Sequence, residues 1–209
     1  APPPQPPAAP PPPPPRPPAR GPTPPRGAAP HAEVGAAVAR VRASGGYPGT
    51  VLAFEFLVLT AARSAEVRGA RWAEIDRTGA VWTIPGERMK AGREHRVPLA
   101  RGALEVLDEA AERFGGDDPV FPSPTGKVAN HSLMPTLLRE LEIGAVPHGF
   151  RSSFRDWAAE CSDAPREVCE LALAHVNSDR VEAAYRRTDL FDRRRELMRD
   201  WAAYIADAA

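Results

Sequence analysis

His148-Gly149-Phe150-Arg151-Ser152-Ser153-Phe154 places a histidine and an arginine three residues apart, a spacing that puts both on one side of a helix start. The first turn of a helix also offers unpaired backbone N–H groups, so the stretch is suited to hold an anion. Arginine fits this use because its planar fork stays charged at any working pH and grips two anionic oxygens at once. Outward from this centre, further cationic and proton-carrying residues follow in the order Arg63, Lys90, His148, Arg151, His175 and Tyr185.

The elements around them are readable from pattern. Val51 to Ala61 is an apolar run that suits a buried helix. Arg63 stands at the break that follows, where Ser64 is expected to cap a second short helix with Glu66 in its first turn. Trp72 to Leu99 holds β-rich runs punctuated by Arg77-Thr78-Gly79 and Ala91-Gly92-Arg93, which predicts an antiparallel sheet of about three strands with Lys90 beside the second turn. Helices are expected near 101–114, 130–141, 149–161, 165–174, 179–186 and 189–206, with Asn130, Asp163 and Ser178 as caps and Pro165 early in its helix. The predicted class is mainly α with one small antiparallel sheet.

Composition separates an appendage from a domain. Of 26 prolines, 17 lie in residues 1–30, among Ala, Gly and three arginines with no aromatic or long aliphatic residue. Such a segment buries too little apolar surface to offset its ordering entropy and reads as a disordered or polyproline-like tail. It lacks the apolar centre of a secretory signal, and no stretch of the chain is apolar for long enough to span a bilayer. A soluble, cytoplasmic protein is therefore expected. The formal net charge is zero, but the tail carries +3, and residues 103–118 hold six acidic side chains against Arg113. The rest of the domain is slightly basic, so the acidic helix is expected on the face away from any polyanion. Cys161 and Cys169 read as free thiols in helices, each buried as a small hydrophobe. The five histidines give no helical pair with a carboxylate between, so no metal site and no cofactor is expected.

Three stretches together carry a resemblance: Leu59-Thr60-Ala61-Ala62-Arg63-Ser64-Ala65-Glu66-Val67-Arg68-Gly69; Trp82-Thr83-Ile84-Pro85 with Met89-Lys90; and His148 to Phe154 followed by Ala174-His175 and Ala184-Tyr185-Arg186-Arg187. From about Pro48 to Ala209 the chain resembles the catalytic domain of the tyrosine recombinase, or phage integrase, family, most of all the integrases of prophages, satellite phages and genomic islands. The resemblance implies that Tyr185 is a nucleophile on a DNA phosphate, that Arg63, Arg151 and His175 hold that phosphate, that His148 helps to remove the tyrosine proton, and that Lys90 protonates the leaving 5′ oxygen. Lysine suits this last role because it can give up its proton, and Lys90 is one of only two lysines in an arginine-rich chain. Glu66 and Asp156 are expected to orient arginines or cap helices.

The implied activity is metal-independent, site-specific integration or excision through a 3′-phosphotyrosyl intermediate. The implied partners are double-stranded DNA attachment sites and sister protomers in a tetramer, with no membrane and no small-molecule substrate. A type IB topoisomerase uses a similar residue set. A non-enzymatic remnant that binds DNA or another integrase is a third reading, since residues 31–209 hold the catalytic domain and the helical core-binding domain usual before it is expected to be absent. The C-terminal stripe of Phe191, Leu197, Trp201, Tyr204 and Ile205, beside Arg193, Arg194 and Arg195, admits two placements: docking on a neighbouring protomer or folding back on its own core.

Overall fold

A helix that is apolar on every face is stable only when surrounded, and that requirement organises the structure. The computed structural model of the chain describes residues 27–175 and 188–208. At its centre lies α2 (Pro48–Thr60), most of whose residues are buried. Around it pack α1 (Val34–Arg42), α4 (Arg101–Phe114), α5 (Leu133–Glu140) and the long α8 (Phe191–Asp207). Phe54 and Phe56 are two positions apart on α2, so their side chains leave it in opposite directions. Phe54 meets Phe150 of α6 (Gly149–Cys161) edge-on at 5.0 Å between ring centroids. Phe56 meets Trp82 and Phe121 at 5.3 and 5.2 Å.

Trp82 belongs to the sheet, which runs β1 (Ile75–Asp76), β2 (Val81–Ile84) and β3 (His95–Pro98) in antiparallel order β1-β2-β3. Register pairs Trp82 with Ile75 on one side and Val97 on the other, and Ile84 with His95. The first turn is closed by Asp76, whose carboxylate accepts the Gly79 N–H at 2.8 Å. The second connection, residues 85–94, is a longer arm with Lys90 in its turn.

The apolar stripe of α8 folds back on the chain's own core. Leu197, Trp201 and Ile205 are buried, and the Trp201 indole N–H donates to the Val58 carbonyl of α2 at 2.9 Å. Trp201 also sits against Phe154 and Trp157 of α6. The basic cluster at the start of α8 is largely structural too. Arg194 is 2% exposed and donates to the Asp189 carbonyl and carboxylate and to the Arg96 carbonyl of β3. Arg96, Arg195 and Arg194 lie 4.1, 5.0 and 5.3 Å from the Phe191 ring centroid, a cation–π cluster that ties β3 to α8.

Several local expectations need correction. Ser64 is the first residue of α3 (Ser64–Arg68) and Arg63 holds the cap position. Glu66 explains this, because its carboxylate reaches back to accept the Arg63 N–H at 2.8 Å. Asn130 bonds Ser132 two residues on, and Ser132 precedes α5. Pro165, not Asp163, precedes α7 (Arg166–Ala172). Cys169 is buried, but Cys161 ends α6 and is exposed. Residues 27–30, read from composition as part of the tail, pack on the domain: Gly27 bridges Ala145, and Ser153 donates to the Ala29 carbonyl. The remainder of that tail, the helix expected at 179–186 and its cap Ser178 lie outside the described residues. No helix among the described residues is long and apolar enough to cross a membrane.

Candidate active site

Two left-handed turns deliver the candidate residues. α2 ends at Ala61 with φ 49°, which breaks the helix and swings Arg63 into the corner before α3. There the Glu66 carboxylate holds both the Arg63 N–H and its Nη1, each at 2.8 Å. Glu66 is almost fully buried, whereas the Arg63 side chain remains 24% exposed, so the guanidinium is aimed outward from a buried anchor. α7 ends in the same way at Ala174, φ 48°, and His175 follows. The His175 N–H returns to the Glu170 carbonyl at 2.9 Å, and its Nδ1 lies 2.6 Å from the Glu170 carboxylate.

Arg151, in the first turn of α6, joins these two turns. It is 4% exposed, and its Nη1 donates to the Ala61 carbonyl and its Nη2 to the Leu173 carbonyl, the latter at 2.6 Å. These bonds engage two of its five N–H donors. Burial, and then the nearby Arg63 guanidinium, push its pKa down to about 10, which leaves it cationic at neutral pH. His148 immediately precedes α6. Partial desolvation of its ring lowers its pKa, and the charges of Arg151, Arg63 and His175 add to that, so the imidazole is neutral at pH 7.

The structure thus gathers Arg63, His148, Arg151 and His175 from three separate segments. Lys90 is exposed in the β2–β3 arm and shares no hydrogen bond or ion pair with the other four. Tyr185 lies outside the described residues. Of the expected orienting carboxylates, Glu66 does hold Arg63.

Two residues at this site were not singled out from sequence. His95 opens β3, and burial, together with Arg194, Arg151 and Arg63, drives its pKa down to about 4, against the opposing influence of the Ala172 carbonyl. Glu170 receives Arg155 Nε at 2.9 Å as well as His175. Desolvation pushes the Glu170 carboxyl up, but the bonds from His175 and Arg155 outweigh it and leave the carboxyl below its ordinary value. The only early sign of either was position: His95 lies five residues after Lys90, and Glu170 five before His175. The cluster carries a surplus of positive charge, with Glu66 and Glu170 held by their own partners, and that is the character of an anion site.

A mostly helical domain with a three-stranded antiparallel sheet is the fold of lambda-integrase-type catalytic domains. The chain belongs to the phage integrase family, whose sequence profile matches residues 36–190. It is 38% identical over 159 residues to prophage integrase IntA of Escherichia coli (strain K12), covering 74% of this chain and 38% of that protein. It is 32% identical over 187 residues to the integrase of Enterobacteria phage P4, covering 80% of this chain and 43% of that one. The chain therefore spans about two fifths of the length of these relatives. Among solved structures, the integrase from mycobacterium phage Brujita superposes with a TM-score of 0.60 at 20% identity, over 84% of this chain and 62% of the other. A lambda integrase dimer bound to a COC′ core site gives 0.57 at 21% identity, over 79% and 49%. These two likenesses show the fold.

Proposed function

We propose that the chain is the catalytic domain of a site-specific DNA recombinase that integrates or excises a mobile element. The observation that carries this reading is the Arg151 staple, which ties the turn before Arg63 to the turn before His175. In the reaction, Tyr185 attacks the scissile phosphorus as the P–O5′ bond breaks, giving a 3′-phosphotyrosyl bond and a free 5′ hydroxyl. His148, neutral at pH 7, accepts the tyrosine proton, and Lys90 gives its proton to the leaving 5′ oxygen. Arg63, Arg151 and His175 meet the charge on the non-bridging oxygens, where fixed donors are worth most. The 5′ hydroxyl of a partner strand then reverses the step. The number of phosphoester bonds is unchanged throughout, so no nucleotide hydrolysis is required.

The lowered pKa of His148 supports its part, since the same cations that keep it neutral are compensated once a phosphate arrives. Double-stranded attachment-site DNA and further protomers, assembled as a tetramer on DNA, are the proposed partners. The related lambda integrase structures, a dimer on a core site and a tetramer on a Holliday junction, motivate that proposal.

A suicide duplex carrying the element's own attachment site tests the reading. A protein–DNA adduct is expected that survives denaturant, is removed by protease and forms in EDTA. Tyr185→Phe is expected to abolish it while DNA affinity is largely kept, because the lost hydroxyl is one contact among many to phosphate. An adduct that persists in Tyr185→Phe would remove Tyr185 from its role.

A further inference from the structure

We infer that Glu170 is a positioning residue for His175: its carboxylate accepts from Nδ1–H and turns the opposite ring edge toward the anion site, where Nε2 donates to an anion once the ring carries its second proton. Glu170 touches His175 twice. Its carbonyl accepts the His175 backbone N–H at 2.9 Å, and its Oε2 lies 2.6 Å from Nδ1. A carboxylate can only accept, so a bond at this distance assigns the proton to Nδ1, and the opposite ring edge carries Nε2. His175 lies close enough to His148 for its charge to lower the proton affinity of that ring.

Glu170 is itself held from α6. Arg155 Nε donates to its Oε1 at 2.9 Å, and Arg166 Nε lies 4.0 Å from the same oxygen. Arg155 is four residues beyond Arg151, so both leave one face of α6. One helix therefore grips the end of α7 at two points, Arg151 on the Leu173 carbonyl and Arg155 on the Glu170 carboxylate. Immediately after these grips the backbone passes through the left-handed Ala174. A non-glycine residue costs roughly 1 kcal/mol in that conformation, so the turn needs such anchors. His175, whose side chain is 45% exposed, gains from Glu170 the fixed ring plane that a surface histidine lacks.

That the ring then meets a DNA phosphate rests on the recombinase reading above; the pairing of Glu170 with His175 does not. Two measurements on the full chain keep these apart. In single-turnover cleavage of the suicide duplex, Glu170→Ala is expected to slow the reaction roughly 30-fold, the range for a lost partner that orients a working histidine, with the DNA dissociation constant within about twofold. Glu170→Gln, which still accepts from Nδ1–H, is expected to recover most of that loss. In a His175→Ala background, Glu170→Ala should cost nothing further, whereas a merely structural role would slow both backgrounds alike. An undiminished effect there, or normal cleavage by Glu170→Ala, overturns the assignment.

The second measurement needs no DNA. ¹⁵N histidine NMR of the chain is expected to show His175 with Nδ1 protonated throughout, and its Nε2 resonance moving toward the protonated position on addition of inorganic phosphate. In Glu170→Ala, both neutral tautomers should appear. A single unchanged tautomer in Glu170→Ala overturns the pairing even if the chain cleaves DNA. Absence of cleavage by the wild-type chain with the expected NMR result removes the recombinase reading and leaves the pairing standing.

Discussion

Arg151 donates to the carbonyl of Ala61, two residues before Arg63, so one candidate phosphate ligand fixes the turn that presents the other. Its second bond, to Leu173, fixes the turn that presents His175. Arg151 therefore combines a structural and a proposed chemical task, while Arg63, anchored by Glu66, is aimed outward.

The two arginines are expected to respond differently to substitution. Arg63→Lys should lower strand cleavage by at least ~10²-fold, the effect of losing a preorganised charge donor, with little change in melting temperature. Arg151→Ala should lose cleavage to a similar degree and also about 1–3 kcal/mol of stability, because two buried carbonyls lose their partner. Suicide-substrate cleavage and thermal unfolding, measured side by side, check this; a melting temperature unchanged in Arg151→Ala would contradict the staple.

His95 sets a pH dependence. Its folded pKa of about 4 lies below the ordinary histidine value, so the unfolded chain takes up the proton first as acid is added. The associated stability is fully present above about pH 6.5 and is lost as pH falls toward 4, with an upper limit on the order of 3 kcal/mol. Denaturant unfolding between pH 4 and 7.5 should show this slope, and His95→Gln should flatten most of it. The lowered His148 adds a smaller contribution of the same sign. A slope identical in wild type and His95→Gln would sink the assignment.

Trp201 is the residue on which the cis placement of α8 depends. Trp201→Ala should destabilise the chain by about 3–5 kcal/mol, the range for emptying a large aromatic site, and should take from the Val58 carbonyl the indole donor, leaving it the Ala61 N–H at 3.3 Å. A loss below about 1 kcal/mol in urea unfolding would argue that α8 is not part of the core.

Gly149 tests the packing of residues 27–30. A Cβ there would lie 2.4 Å from the Gly27 oxygen and 2.9 Å from the Ala28 Cα. Gly149→Ala is therefore expected to cost about 1–3 kcal/mol by overpacking and to expose residues near Gly27 to protease. In a chain shortened to begin at His31 the same substitution should be neutral or slightly stabilising, since alanine is the better helix former. An equal penalty in both chains would place the strain elsewhere.

The regular elements were legible because their signals are local. The apolar positions Ala103, Val106, Leu107 and Ala110 follow the helical period, so α4 begins and ends where the pattern does. The run from Trp82 to Ile84 reads as strand for the same reason. Caps were less legible, because Glu66 outcompetes Ser64 from three residues away. Arg63, His148, Arg151 and His175 are marked by the family resemblance, and the structure brings them together from three segments. His95 and Glu170 escaped notice because their significance comes from long-range neighbours: a lone histidine in a strand has no pattern, and Glu170 depends on Arg155 reaching across from α6.

Ala61 and Ala174 occupy a conformation in which glycine would sit without steric penalty. A search for heat-resistant variants would be drawn to these two positions first. Each, however, is a hinge pin whose stiffness sets the aim of the residue beyond it, Arg63 or His175. Glycine there should raise or leave unchanged the melting temperature while slowing cleavage, so that durability and speed separate at the same two atoms of chemistry, a pair of methyl groups. A variant that gains both would show that these turns are held by their anchors alone.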